Sequence, residues 1–240
     1  MADIAPQGPS LNDLERLLIH FVFETYLGDK WRGDDVPKDL FRSFAAHAEH
    51  LSDSFTLERR EFRPGYLRLR EYRSAYLLYF HLASLVRALS VFRELRVRGL
   101  WPKKPLRVLD VGCGSAPSVW AAALACESFG GSLESVEGWD RETGILADSK
   151  RLFEKFAKTL PTPVPRLRTR KVDLRMSRDW ERSTDRFDLI IVSNVLNELD
   201  ELGEGRMGAV LCGLLDRVLE RDGKLVVIEP ALLRVSRKLT

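Results

Sequence analysis

Cysteine is scarce: Cys113, Cys126 and Cys212 are the only three in 240 residues, they lie far apart, and no CxxC pair occurs. That excludes a disulfide framework and a contiguous zinc motif, since both need cysteines in pairs at short, fixed spacing. Long apolar runs are absent too, and no stretch approaches the roughly 18 to 20 apolar residues that cross a bilayer. The start, MADIAPQGPSLNDLE, lacks the basic and apolar regions of a targeting leader. Reduced thiols filling small spaces, a cytoplasmic location and no membrane partner are expected. His47 and His50 stand three apart in a helical pattern, but no acid or cysteine at ligand spacing accompanies them. Surface or packing roles are expected for both histidines, and no metal.

What is present is ordinary globular material, 45% hydrophobic and 30% charged, which sets disorder aside. The net charge of +3 conceals an asymmetry. Between Glu58 and Arg107 thirteen Arg and Lys residues face only Glu58, Glu61, Glu71 and Glu94. Clustered cations beside Tyr66, Tyr72 and Tyr76 suit a nucleic-acid backbone with exposed bases, because each neutralised phosphate releases condensed counterion. A solvated face of amphipathic helices explains a charge run equally well.

Two regions divide the chain. Up to about Trp101 the periodicity is helical, as in LNDLERLLIHFVFETYL and AYLLYFHLASLVRALSVFREL, where apolar residues recur three and four apart. Trp101-Pro102-Lys103-Lys104-Pro105 cannot continue a helix and forms a joint. This gives a basic helical region over 1–104 and an α/β core over 105–240. In the core, strands are expected at about 107–111, 133–139, 166–172, 187–193 and 224–229, with helices at about 118–128, 143–160 and 206–220. Such alternation indicates a doubly wound, mostly parallel sheet covered on both faces.

The first strand runs LRVLDVGCG from Leu106 to Gly114, an apolar run that breaks into a glycine loop. Glycine reaches positive φ freely and lets a ligand approach the backbone. The second strand, LESVEGWD, ends in Asp140, whose carboxylate is suited to accept both hydroxyls of a ribose. Together they indicate a nucleoside cofactor. A dinucleotide sheet wants G-x-G-x-x-G, yet the third glycine position holds Pro117, which speaks against NAD.

Asp110 in LDVGCG, the ribose-binding acid, a further acid after the third strand and a polar loop after the fourth resemble class I S-adenosylmethionine-dependent methyltransferases with their Rossmann-like sheet. The resemblance implies that Gly112, Cys113 and Gly114 pass the methionine part of the cofactor, while Asp110 anchors the loop and faces the ammonium group. It implies further that Asp140 holds the ribose, that Trp139 and Arg141 flank the adenosine, and that Asp173 and Leu174 of KVDL meet the adenine. Ser193 and Asn194 lie where the fourth strand opens toward the methyl group. Ala116 departs from the family's GxGxG, and its side chain would crowd the cofactor or demand an altered turn.

The segments REYRSAYLLYF, RVLDVGCGSAPSVWAA, DLIIVSNVLNEL and VVIEPALLRVSRKL resemble the methyltransferase-like family associated with the small ribosomal subunit of mitochondria and bacteria. VLNEL and IEP are the most specific parts. This resemblance implies a helical N-terminal region, a methyltransferase core, and work on small-subunit ribosomal RNA or on subunit assembly, with segment 58–107 as the RNA contact. Relatives carry a cysteine-rich stretch near the C-terminus that can hold an iron-sulfur cluster, which is missing here, as are the two C-terminal strands of the usual seven. A truncated form, or a partner over that edge, is expected.

No catalytic residue is named. The fourth-strand loop has no Asn-Pro-Pro-aromatic signature, no cysteine sits in a proline-bounded motif, and Asn197 and Glu198 are also the polar positions of an amphipathic turn. Three readings stand: a methyltransferase acting on small-subunit RNA, a non-catalytic assembly factor with the same fold, and an NAD-dependent oxidoreductase.

Overall fold

Five strands form one all-parallel sheet in the computed structural model, which describes residues 8–28, 38–56, 65–102, 104–176, 179–181, 183–196, 199 and 205–229. The strands are β1 (Leu106–Val111), β2 (Leu133–Asp140), β3 (Leu167–Lys171), β4 (Phe187–Ser193) and β5 (Leu219–Ile228), in the order β3-β2-β1-β4-β5. The chain thus winds outward from β1 to β3 and then crosses to β4 on β1's other side. β1 and β4 lie side by side, with Val111 opposite Val192, where the strand order reverses, and in sheets of this kind ligands bind outside the carboxyl ends at that point. The expected doubly wound α/β class is the observed one.

β1 and β4 are central because they are the most apolar runs, and from Val108 to Val111 and Phe187 to Val192 every residue is buried. Successive side chains point to opposite faces. Val108 faces the layer containing α4 (Pro117–Phe129) and α5 (Thr143–Ala157), while Leu109 and Val111 join the second core, beneath α6 (Arg206–Gly213). α4, PSVWAAALACESF, is apolar nearly all round, as a helix buried on every side must be. Its outer neighbour is α3 (Arg70–Val97), whose buried positions Ser74, Leu77, His81, Ser84, Leu85, Ala88 and Phe92 follow the three-four spacing. α1 (Leu11–Leu27) and α2 (Lys38–Thr56) pack on α3. The N-terminal helices therefore share one core with the sheet.

α3 also has the length and apolar composition of a membrane-crossing helix, contrary to the expectation that no stretch comes near it; 39% of that window is buried within the protein. The last helix ends early. Expected to reach 220, α6 stops at Gly213, a π turn spans Leu214–Val218, and β5 begins at Leu219. Arg186 drives this, donating to the carbonyls of Leu219 and Asp216 and so drawing the chain into the sheet. Cys212, expected in the core, is exposed, because Val210 and Leu214 hold the inward positions of that stretch.

Candidate cofactor site

Beyond β1 the backbone turns left-handed three times in five residues, at Gly112 (φ 66°), Gly114 (φ 51°) and Ala116 (φ 60°). The turn is tied from within by the Ala116 amide donating to the Cys113 carbonyl at 2.7 Å, and from β2 by the Cys113 amide donating to the Trp139 carbonyl at 2.8 Å. Ala116 thus takes a left-handed conformation despite its side chain, and α4 starts directly after it at Pro117.

Glycine is needed at the first two positions for space as well as for φ. A Cβ on Gly112 would lie 2.2 Å from Cγ2 of Val195, and one on Gly114 would lie 2.8 Å from the Tyr76 hydroxyl. Val195 follows β4, and Tyr76 belongs to α3. The glycine turn is therefore pressed from both sides by elements distant in sequence. Tyr76 is a site-lining residue that the sequence reading grouped with nucleic-acid contacts, and only its place in REYRSAYLLYF hinted at it.

Asp140, at the tip of β2, bends toward this turn. Its Oδ2 accepts the Gly114 amide and its Oδ1 accepts the Glu142 amide, each at 2.9 Å. A carboxylate offers about four lone-pair positions, so two oxygens remain able to accept one hydroxyl each. Burial pushes its pKa up, against the pull of the two backbone amides. Asp110 is buried on the α4 side of β1, and its Oδ2 has no hydrogen-bond partner among the described residues. Burial, opposed by hydrogen bonding to Ser118 and reinforced by the Asp140 charge, holds its carboxyl well above the usual range. A buried acid oxygen without a donor marks a place for a donor group. Cys113, in the same cluster, is fully buried with its thiol pushed up by burial and both acids, which makes it inert.

Other candidates lie further from this centre. Trp139 points to the opposite face from Asp140, buried against Phe187, with Arg170 over its ring at 5.4 Å and its indole N–H donating to Glu137. Arg141 pairs with Glu142 at 3.8 Å. Asp173, beyond β3, is gripped by Arg175 through two bonds from Nε at 2.8 and 3.0 Å and a further one from Nη2. That guanidinium holds its carboxyl below the usual range. Leu174 packs in the core under α6, with its carbonyl accepting from Trp180. Ser193 and Asn194 end β4 beside the glycine turn, and Asn194 takes a left-handed φ of 57°. Asn197 and Glu198 lie outside the described residues.

The helical region closes the site's remaining side. Arg68 bonds Glu142 at 3.1 Å, Arg73 bonds Asp148 at 2.8 Å, and the buried His81 shares a 2.8 Å hydrogen bond with Ser115 of the turn. Tyr66, Tyr72 and Tyr76 pack toward α2, while Tyr79 is exposed. His47 and His50 both meet the Tyr72 ring edge-on.

No family model matches the chain, and no curated protein does. Solved structures of similar fold include the glycopeptide N-methyltransferase MtfA complexed with S-adenosyl-L-methionine, at 16% identity and a TM-score of 0.38 over 58% of this chain and 53% of that one. DhpI, in a complex with SAM and HEP, is 15% identical with a TM-score of 0.42 over 86% of this chain and 74% of that one. The plantazolicin methyltransferase BpumL, with a desmethyl analogue and SAH, is 12% identical with a TM-score of 0.39 over 90% and 59%. This chain thus spans about half the length of MtfA.

Proposed function

We propose that this protein is an S-adenosylmethionine-dependent methyltransferase acting on ribosomal RNA of the small subunit. The observation that carries the cofactor assignment is the 2.9 Å bond from the Gly114 amide to Asp140, which joins the glycine turn to the ribose-type acid. The unpartnered oxygen of Asp110 fits an ammonium group.

In this reading Asp140 accepts the two ribose hydroxyls, Asp110 faces the amino group, and the Gly112–Gly114 backbone borders the amino-acid part. Ser193 and Asn194 border the acceptor side. Bound there, the cofactor would supply a methyl group already activated by its sulfonium. The protein's share is then chiefly to hold the acceptor in line and keep water away, and positioning of that kind accounts for about 7–11 kcal/mol in well-oriented reactions. A ribosomal RNA acceptor is supported by the family resemblance of four segments and by the cationic composition of 58–107. A cytoplasmic location belongs to the same proposal.

One observation favours a second reading, an assembly factor that binds but does not transfer. Asp173, the acid assigned to the adenine amine, is already saturated by Arg175. Calorimetric titration with S-adenosylmethionine and with NAD separates methyl-donor binding from the oxidoreductase alternative. Binding of the methyl donor alone, weakened about tenfold or more in Asp140→Ala for loss of a charged acceptor, is expected. Binding of NAD with no response to the methyl donor would overturn the proposal. Tritiated-methyl transfer to isolated small subunits then separates enzyme from assembly factor, since persistent absence of label with the donor bound favours the latter.

A further inference from the structure

The IEP motif at the end of β5 takes no part in the cofactor contacts described above, yet its acid reaches the site. Glu229 Oε1 accepts the backbone amides of Val195 and Leu196 at 2.8 and 2.9 Å, a single oxygen holding two consecutive N–H groups 34 and 33 residues away. The same crossing is stitched by the Asn194 amide, which donates to the Ile228 carbonyl at 2.9 Å. Between these bonds Asn194 is in the left-handed region, a conformation that reverses the chain as it leaves β4. Two amides aimed at one carboxylate oxygen are a charge-assisted pair, stronger and shorter than neutral bonds.

Val195 is the residue that fills the space in front of Gly112. Its backbone is therefore fixed by Glu229 and its side chain bears on the glycine turn, so that the acid sets where the turn can lie. Ser193 and Asn194, the acceptor-side residues of the proposed reaction, belong to the same short segment. We infer that Glu229 is a positioning residue, locking the loop Asn194–Leu196 against the glycine turn and thereby fixing the acceptor side relative to the methyl donor. It acts through Val195. The inference rests on the methyltransferase reading for its consequence, but its geometry is independent of any ligand.

The test uses Glu229→Ala and Glu229→Gln in the full chain, with amide hydrogen exchange, urea unfolding, and calorimetry with S-adenosylhomocysteine as probe. Gln keeps an oxygen able to accept both amides, whereas Ala keeps none. In E229A, exchange at Val195 and Leu196 should accelerate together with that at Cys113 and Gly114, and affinity for the probe should fall about tenfold, a modest loss for a displaced site. E229Q should restore most of both. Unchanged exchange at Val195 and Leu196 in E229A overturns the inference. So does faster exchange confined to those two amides with probe affinity unaltered, because the acid is then only a local cap. Should the wild-type protein bind no S-adenosylhomocysteine, the functional reading falls, and the coupling of exchange between 195–196 and 113–114 alone upholds or overturns the role of Glu229. If E229A does not fold, Glu229→Asp, whose carboxylate stands one methylene short of the two amides, carries the same comparison.

Discussion

Gly112 and Ala116 share a left-handed backbone, but only one of them depends on having no side chain. At Gly112 an added methyl meets both a φ of 66° and the Val195 methyl 2.2 Å away. Left-handed φ costs an L residue about 1–2 kcal/mol, and forcing a methyl into packed surroundings adds typically about 1–3 kcal/mol. Gly112→Ala should therefore lower unfolding free energy by about 3 kcal/mol in urea denaturation, taking those ranges together. Val195→Ala in the same chain should return part of that loss, since it removes the clash and not the strain. At Ala116 the balance is different. Replacing it with glycine relieves about 1–2 kcal/mol of strain, while it removes a fully buried methyl worth about 0.8 kcal/mol and frees the unfolded chain by about 0.4–1 kcal/mol. Ala116→Gly should thus leave stability within about 1 kcal/mol of the parent. A large change in either direction would mean that Ala116 does not adopt the turn seen here.

α3 behaves as a wall of the site through the contacts of one face, and His81 makes that wall sensitive to pH. Its ring is fully buried between Ser115 and the edge-on Trp120, Nε2 has no partner among the described residues, and burial lowers its pKa to about 3. In the unfolded chain the ring titrates near 6.5, so below that pH the unfolded state takes up a proton the folded state refuses. The stabilisation is complete above about pH 6.5 and is lost progressively as pH falls toward 3, at about 1.4 kcal/mol per pH unit. Asp110 and Asp140, both raised by burial, act in the opposite sense, losing stabilisation as pH rises through their folded values. Comparison with a variant isolates the histidine. Between pH 7 and 5 the wild type should lose about 2 kcal/mol more than His81→Gln, from about 1.5 pH units of uptake. Parallel urea profiles for the two proteins would show that His81 is not buried neutral.

At the scale of the whole molecule, the sheet was legible because β1 and β4 are continuous apolar runs ending in turn residues, and the site's centre was legible because Gly112, Gly114 and Asp140 are defined by local chemistry. What stayed hidden depends on distant side chains. The sequence displays Arg175 two residues after Asp173 but not the grip it exerts, nor the reach of Glu229 back to Val195, nor the pull of Arg186 that ends α6 early. The charge of segment 58–107 was legible as a composition, and its use is a matter of where those cations stand. Arg59 and Arg60 lie outside the described residues, Arg68 is mostly exposed although it bonds Glu142, and Arg87, Arg93 and Arg96 are exposed on α3.

Every phosphate contact to a single strand contributes about 0.7 to the slope of log affinity against log salt. Replacing Arg59, Arg60, Arg68 and Arg70 with Ala should accordingly flatten that slope by up to about 3 for small-subunit RNA fragments, and weaken binding similarly across sequences. Arg68→Ala alone also loosens the turn Tyr66–Arg68, just before α3, from Glu142, so its loss should appear in donor affinity as well as in the slope. Slopes that coincide for the parent and the fourfold variant would make these cations an ordinary solvated surface, because a residue that neutralises no phosphate releases no counterion.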